Sequence, residues 1–394
     1  MMLRRVLSAR TRAAPALQAS FSTASTRFPD LITGDPYNNV SEAIAAKVGV
    51  NLHRQPNHPL NIIKTKIADY FDELHAQGHP KMQMFDNLSP VVSVADCFDH
   101  MLIPKDHVSR RPTDTYYLNP ATLLRPHTSC HEVPMMKKGI KNFLVAGDVY
   151  RRDEIDASHY PVFHQMEGLR FFPELSQALP YDDRVAIVQA HLKTTLEGMV
   201  ESIFGKVEMR WVDAYFPFTH PSLELEIFFE GEWLEVLGCG VLQRPIAEHG
   251  GVVDEVGWAF GLGLERLAMV LFDIPDIRLF WTKDPRFLSQ FQDGVISKFK
   301  PYSKYPPCYK DVSFWLSTEF HENNLFEVVR NVAGDMVEQV VLVDEFEHPK
   351  TKRVSKCFRI LYRHLDRNLT NEEVDDIQLV VREAIVKDLG VELR

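Results

Sequence analysis

Two arginines in this chain stand at the ends of glycine-flanked stretches, and one of them, Arg266, stands where a phosphate group could be held near a helix start. Arg151 closes the apolar run Phe143–Tyr150 within Gly147-Asp148-Val149-Tyr150-Arg151-Arg152-Asp153, and Arg266 lies in Ala259-Phe260-Gly261-Leu262-Gly263-Leu264-Glu265-Arg266. A guanidinium offers a planar fork that matches phosphate oxygens and also stacks on flat rings. The glycines before Arg266 leave backbone free of Cβ atoms, which suits close approach of a ligand and an anion near a helix start. Taken alone, GLGLER reads equally as a tightly packed helix with a surface ion pair. It is not GxGxxG and no βαβ unit surrounds it, which argues against a dinucleotide fold. Between the two arginines lie Phe163-His164-Gln165-Met166-Glu167-Gly168 and the glycine-rich Trp233–Gly240. Each of their side chains taken singly reads as core or solvated surface.

The elements that must position these residues follow from periodicity. Leu60, Ile63, Ile67, Tyr70, Phe71 and Leu74 are spaced as on one helix, and Val188, Leu192, Leu196, Met199 and Ile203 predict a longer one over Asp182–Phe204, ending near Gly205. Phe85–Asp99 reads as strand and turn, Asp114–Leu118 as β-rich, and Phe143–Tyr150 as a buried strand. The period then becomes two: Leu223, Leu225, Ile227 and Phe229 face one way, and a turn leads into Trp233–Leu237. A helix is expected from about Gly261 to Phe272. Strands gathered in the middle with helices at the ends predict an α+β fold with an antiparallel sheet and flanking helices.

The prolines of Lys300–Pro307 mark a stiff connector. Beyond it the order is strand (Tyr309–Leu316), helix (Asn323–Val332), strands (Val337–Phe346, Val354–Leu365), helix (Glu372–Leu389) and a very short end. That is the ferredoxin-like plan, with its sixth element uncertain. The expected organisation is therefore a leader (1–29), a catalytic domain (30–299), a linker (300–307) and a ferredoxin-like domain (308–394).

The chain has 394 residues with 44 basic and 54 acidic side chains, net −10, and 45% hydrophobic residues. The balance is that of a globular protein, and no apolar stretch approaches the roughly 18 residues a membrane span needs. The acidic total argues against whole-surface coating of nucleic acid, while leaving room for a local basic patch. Five scattered cysteines without a CxxC pair predict neither a disulfide framework nor a zinc site. Met1–Pro29 holds no Asp or Glu but carries Arg4, Arg5, Arg10, Arg12 and Arg27 among Ser, Thr and Ala. This is the composition of an organelle transit peptide, mitochondrial or plastid, as distinct from a plain disordered tail.

Together the pieces are more specific. A strand–loop–strand bearing Arg151, followed by a glycine-rich strand entering a helix bearing Arg266, resembles motifs two and three of the class II aminoacyl-tRNA synthetases. His127–Ser129 (HTS), VYRRD…DASH…FHQMEG, Tyr215–Ser222 (YFPFTHPS), EWLEVLGCG and AFGLGLERL look like the phenylalanyl-tRNA synthetase family. Its single-chain organellar form matches best, since a catalytic core runs directly into a ferredoxin-like anticodon-binding domain. The resemblance spans roughly residues 36–394.

The resemblance implies the chemistry and the roles. Phenylalanine and ATP would give an acyl-adenylate and pyrophosphate, and the acyl group would pass to the terminal adenosine of tRNA(Phe). Arg151 matches the arginine on the α-phosphate, Arg266 the arginine near adenine and the γ-phosphate, and Phe163 the ring under adenine. Glu235 matches an acidic position near ATP and Mg2+. Ser129, Gln165 and Glu167 match residues at the amino acid's charged ends, with His127 and His159 close by. Cys130, His131, Glu132, Ser158, Tyr160 and Met166 adjoin them. Phe216 and Phe218 match rings that hold the substrate ring, over a floor closed by Ala259 and Phe260. Alanine at 259 leaves room beyond the para position, so some activation of tyrosine is expected, and no stretch is left for a separate editing module. Glu132 stands where the family often has Gln, Val108 where proline is expected, and Glu174–Arg184 is short.

In the last domain, 13 basic against 17 acidic residues give net −4, yet seven cations fall between Lys350 and Arg367. Arg359 and Arg363 share a strand face with Leu361, opposite Phe358, Ile360 and Tyr362. By pattern this is either a solvated sheet face or an RNA-binding one. The resemblance implies tRNA contact by Lys352, Arg353, Lys356, Arg359 and Arg363, a monomer, and residence in the mitochondrial matrix. Two other readings remain: a non-catalytic RNA-binding protein that kept this fold, and a class II ligase for a related amino acid.

Overall fold

A computed structural model describes residues 31–175, 177–301, 305–365 and 367–394. The expected leader over 1–29 and residues 302–304 of the connector lie outside the described residues. A central seven-stranded sheet is built from β1 (Gln83–Phe85), β5 (Asn142–Tyr150), β6 (Val162–Phe171), β10 (Gly257–Gly263), β9 (Glu232–Leu242), β8 (Thr219–Phe229) and β7 (Glu208–Ala214), in that spatial order. Only β1 and β5 pair in parallel; the other pairings are antiparallel. A small sheet of β2 (Val91–Ser93), β4 (Thr122–Leu124) and β3 (Tyr117–Asn119) adjoins it.

After the short α1 (Glu42–Ala45), three helices cover one face of the central sheet: α2 (Pro59–Ala76), α4 (Tyr181–Phe204) and α6 (Leu264–Phe272). Their apolar stripes, Ile63, Ile67 and Phe71, then Val188, Leu192, Leu196 and Met199, then Leu267 and Leu271, merge with Leu223, Leu225 and Ile227 of β8 into one core. The other face carries the short α3 (Glu132–Lys137) and α5 (Arg244–His249) at one end and is otherwise left to polar residues and glycine. A last short helix, α7 (Pro285–Leu288), closes the unit.

Three local expectations change. Ala95–Asp99 is a helical turn, because Ser93 Oγ accepts the Asp96 N–H at 2.9 Å and Cys97 and Phe98 become buried. Gly261 and Gly263 belong to β10, paired across from Glu167 and Gln165, so the helix begins only at Leu264. Around residue 114 the strand is Tyr117–Asn119 alone.

The C-terminal unit is ferredoxin-like: β11 (Cys308–Trp315), α8 (Glu322–Ala333), β12 (Val337–Glu347), β13 (Val354–Tyr362), α9 (Asn371–Leu389) and β14 (Glu392–Leu393), in sheet order β12-β13-β11-β14. The sixth element is real but tiny, pairing only with Phe314 and Trp315. Thr370 and Glu373 form a capping box that starts α9. This unit leans on the first one. Ile155, from the loop after β5, is buried in its core, and the Val340 N–H donates to Ile155 O at 3.0 Å. Arg330 donates to Asp153 O at 2.8 Å.

One buried pair ties the polar face of the sheet together. Arg125, fully buried, donates from Nε to Asp148 O and from NH2 to Asp148 Oδ1, both at 2.7 Å, and its NH1 meets His131 Nε2 at 2.7 Å. Tyr150 donates its hydroxyl to the same Asp148 carboxylate. Burial alone would raise the Asp148 carboxyl; the Arg125 charge and the Tyr150 bond outweigh it and hold it below the ordinary range. Gly147 makes the room: a Cβ there would fall 2.1 Å from Arg125 NH2, and the anchored guanidinium cannot yield. Gly147→Ala should therefore lower stability by about 1–3 kcal/mol, read from urea unfolding; an unchanged midpoint at equal m-value would contradict this packing.

Candidate active site

The open face of the sheet gathers most of the singled-out residues. Alternation along β6 puts Phe163, Gln165 and Glu167 on that face, paired across to Gly263 and Gly261 of β10, while Gly238 of β9 lies opposite Gly261. With Gly240 and Ala259 alongside, the sheet centre is nearly free of side chains. The space above Gly238 is used by Phe216, whose ring would be met at 2.7 Å by any Cβ there. Phe216 and Phe218 lie parallel, 7° between planes, with centroids 5.8 Å apart. The arrangement is a slot with a flat floor and an aromatic wall.

At one end the turn Thr128–His131 lies over β5 and β6. Ser129 Oγ donates to Glu167 Oε1 at 2.7 Å. Glu132 and Glu167 are both buried, and each keeps one carboxyl oxygen, Oε2, without a hydrogen-bond partner; so does Gln165 Oε1. Burial, and for Glu132 also the Glu167 charge, raises both carboxyls above their ordinary values. His127 is pushed down to about 3 by burial and the Arg151 charge, and His131 also falls, through burial and Arg125; both are neutral at physiological pH. His127 and Cys130 brace the turn from behind, with Cys130 Sγ donating to His127 O at 3.2 Å.

At the other end Arg151 is anchored through Nε on Pro126 O at 2.8 Å, and its guanidinium lies 5.0 Å from the Phe163 ring centre. Arg266, in the first turn of α6, pairs with Glu235 Oε2 at 3.0 Å. The element below is fixed by Glu265, which is buried and accepts both His164 N–H (2.8 Å) and His164 Nδ1 (2.7 Å). One clamp thus locks the strand of Phe163 and Gln165 to the helix of Arg266. Sequence reasoning missed this clamp and Arg125, because neither sits in a spacing that marks it. It also missed Glu224. Burial and then the Glu235 and Glu226 charges hold the Glu224 carboxyl above its usual value. Its signal was present in the charged face of Leu223–Phe229. Glu224 and Glu235, on adjoining strands, offer oxygens in the number that suits Mg2+, which keeps most of its waters.

Several expected site residues lie elsewhere. Met166 and Phe260 point to the helix-covered core, where Phe260 stacks on Phe71; they share the period of His164 and Trp258, not of Glu167 and Ala259. Tyr160 donates to Asp335 Oδ1 of the C-terminal unit at 2.7 Å and stacks on Trp281. His159 and Ser158 fold onto Asp156, at 2.7 and 2.9 Å. Tyr160 thus belongs to the contact between the two units, and His159 lines the same crevice beside Arg330 and Asp335. On β13, Arg359 and Leu361 do share the open face, but Lys356 lies on the helix side and pairs with Glu322 at 2.6 Å. Nor is the basic stripe bare: Lys352 meets Glu347 at 2.7 Å, Arg353 meets Glu392 at 2.6 Å, Arg359 holds Asp311 at 2.8 and 2.9 Å, and Arg363 meets Glu338 at 2.9 Å.

A seven-stranded, mostly antiparallel sheet with two arginines over a bare floor, followed by a ferredoxin fold, defines a class II synthetase architecture. Residues 45–291 match the family model of the tRNA synthetase class II core domain (F), and residues 303–394 that of the ferredoxin-fold anticodon-binding domain. Among similar proteins, the chloroplastic/mitochondrial phenylalanine–tRNA ligase of Arabidopsis thaliana is 55% identical over 91% of this chain and 83% of its own length. The mitochondrial phenylalanine–tRNA ligase of Mus musculus is 49% identical over 91% and 86%. That of Saccharomyces cerevisiae (strain ATCC 204508 / S288c) is 39% identical over 90% and 92%. The chain belongs to the phenylalanine–tRNA ligase family of class II synthetases.

Glu265→Ala takes away the acceptors of the His164 N–H and Nδ1 and should cost about 1–3 kcal/mol in unfolding free energy for each of the two orphaned groups. Glu235→Ala, at a half-exposed ion pair, should cost no more than about 1 kcal/mol. Equal losses in chemical denaturation would contradict the clamp.

Proposed function

We propose that the chain is a mitochondrial phenylalanine–tRNA ligase that activates phenylalanine with ATP and transfers it to the 3′-terminal adenosine of tRNA(Phe). The observation that carries the reading is the placing of Arg151 and Arg266 on the same bare sheet face as the Ser129–Glu167 pair and the Phe216–Phe218 wall. The substrate ring lies against Phe216 and Phe218 above Ala259, held by its π-faces and by exclusion of water. Its ammonium goes to Ser129, Glu132, Glu167 and Gln165. Its carboxylate oxygen attacks the α-phosphate, with Arg151 poised to stabilise the charge that builds on the phosphate oxygens; pyrophosphate leaves. Adenine lies between Phe163 and Arg266, and Arg266 leaves Glu235 to do so. Glu235 with Glu224 would hold Mg2+, which when bound neutralises phosphate charge. In the second step the terminal ribose hydroxyl attacks the acyl carbonyl and AMP departs.

Residence in the mitochondrial matrix is supported by the arginine-rich, acid-free start of the sequence and the names of the relatives. A monomer is supported by the C-terminal unit leaning on its own chain's core. The anticodon end of the tRNA meets the open face of β13. Because Arg359 and Arg363 already hold carboxylates, RNA phosphates must displace Asp311 and Glu338.

Purified chain with ATP, magnesium and unfractionated mitochondrial tRNA should charge labelled phenylalanine. Arg151→Ala should lower the charging rate about 100–1,000-fold, the range for one lost transition-state donor. No charging with phenylalanine, but charging with another amino acid, would overturn the specificity. Asp311→Asn frees Arg359 and should tighten tRNA binding at low salt while leaving adenylate formation unchanged; weaker tRNA binding would move the contact off this face.

A further inference from the structure

The amino-acid end of the slot holds more carboxyl than cation. Glu132 and Glu167 are both buried, their Oε2 atoms lack hydrogen-bond partners, and the Glu167 charge acts on Glu132. The groups around them leave one negative charge unbalanced. Arg125 is engaged by Asp148 and His131. Arg125 still acts on Glu167 across that engagement, and Arg151 feels first Asp153 and then Glu167. His127 and His131 are neutral. Across the turn, Asp96 adds negative charge and pairs with His100, and the Cys130 thiol is held protonated by burial. From α5, Ile246 and Ala247 bury apolar surface here, while Arg244 and Glu248 pair with each other at the surface. Lys137 and Lys138 sit at the exposed end of α3. One of the two buried carboxyls is thus compensated and the other is not.

We propose that the buried Glu132 and Glu167 pair retains one proton while the slot is empty, and that the α-ammonium of the incoming amino acid takes its place, so that amino-acid binding expels a proton. The inference rests on the function proposed above and adds a proton-linked step specific to Glu132. Balance is simple: the carboxylic acid gives H+ to solvent, and the ammonium, already charged near neutral pH, brings the compensating positive charge. Two ionised carboxylates can then both accept from the ammonium. A glutamine at position 132 would give an amide with no proton to lose.

The sign follows from linkage. A raised carboxyl that must ionise for binding makes affinity increase with pH, by up to about tenfold per pH unit for one proton released. L-Phenylalanine titrated calorimetrically into the full chain near pH 7, in phosphate and in Tris, counts the protons directly. About one proton released per phenylalanine, falling by more than half in Glu132→Gln, is the expected result. Equal heats in the two buffers with the parent chain would overturn the retained proton, as would an undiminished release in Glu132→Gln. The parent measurement decides even if the variant is unstable. If phenylalanine gives no heat and a different amino acid does, the phenylalanine reading fails, and the proton count for that amino acid still decides the carboxyl pair.

Discussion

The Arg125–Asp148 pair is the interaction on which the rest of the site depends. It is wholly buried, and it binds a turn to a strand: Arg125 reaches His131 on one side and the β5 backbone on the other. A buried ion pair is a poor source of net stability, but breaking one costs about 3–5 kcal/mol, so it fixes geometry. Here the geometry is the position of Ser129 and Glu132 over Glu167, and of Pro126, whose carbonyl holds Arg151. A second clamp, Glu265 on His164, does the same for Phe163, Gln165 and Arg266. Two anchors below the sheet surface leave the surface itself open for substrate.

That openness comes from a division of labour between faces. Over the slot, the central sheet gives its large apolar residues to the helices α2, α4 and α6; Phe143, Val145, Leu169 and Phe171 go the other way, at the end covered by α3 and α5. To the other side it gives Gly238, Gly240, Ala259, Gly261 and Gly263 or a polar side chain. The parts with charge are then few and well separated. Carboxyls lie at one end, the arginines at the other and Glu224 with Glu235 beyond them, so under the proposed function the reacting carboxylate and phosphate meet between an acidic and a basic pole.

Much of this was legible from spacing. The three-to-four period of Val188–Ile203 gave α4 almost to the residue, the period of two in Leu223–Phe229 gave β8, and the glycine-flanked arginines marked the bare floor. The misses have physical reasons. Met166 and Phe260 stand next to site residues in sequence, but a strand turns neighbours to opposite faces, and the same alternation moves Lys356 off the open face of β13. The helix of Arg266 starts at Leu264 because β6 claims Gly261 and Gly263 as strand partners, a pairing distant in sequence. Ser158 and His159 fold back onto Asp156, and Tyr160 is drawn to the C-terminal unit by Asp335, a contact with no local signature. For the same reason the basic run around β13 looked bare, since its carboxylate partners come from other elements.

The most direct measurement is amino-acid-dependent exchange of label between pyrophosphate and ATP, run on the purified chain with magnesium and each of the twenty amino acids. It isolates the activation step from tRNA. Strong exchange with phenylalanine, weak exchange with tyrosine and none with the rest is the predicted result. No exchange with any amino acid, from folded protein that still binds tRNA, would contradict the account and leave an RNA-binding protein on a synthetase fold.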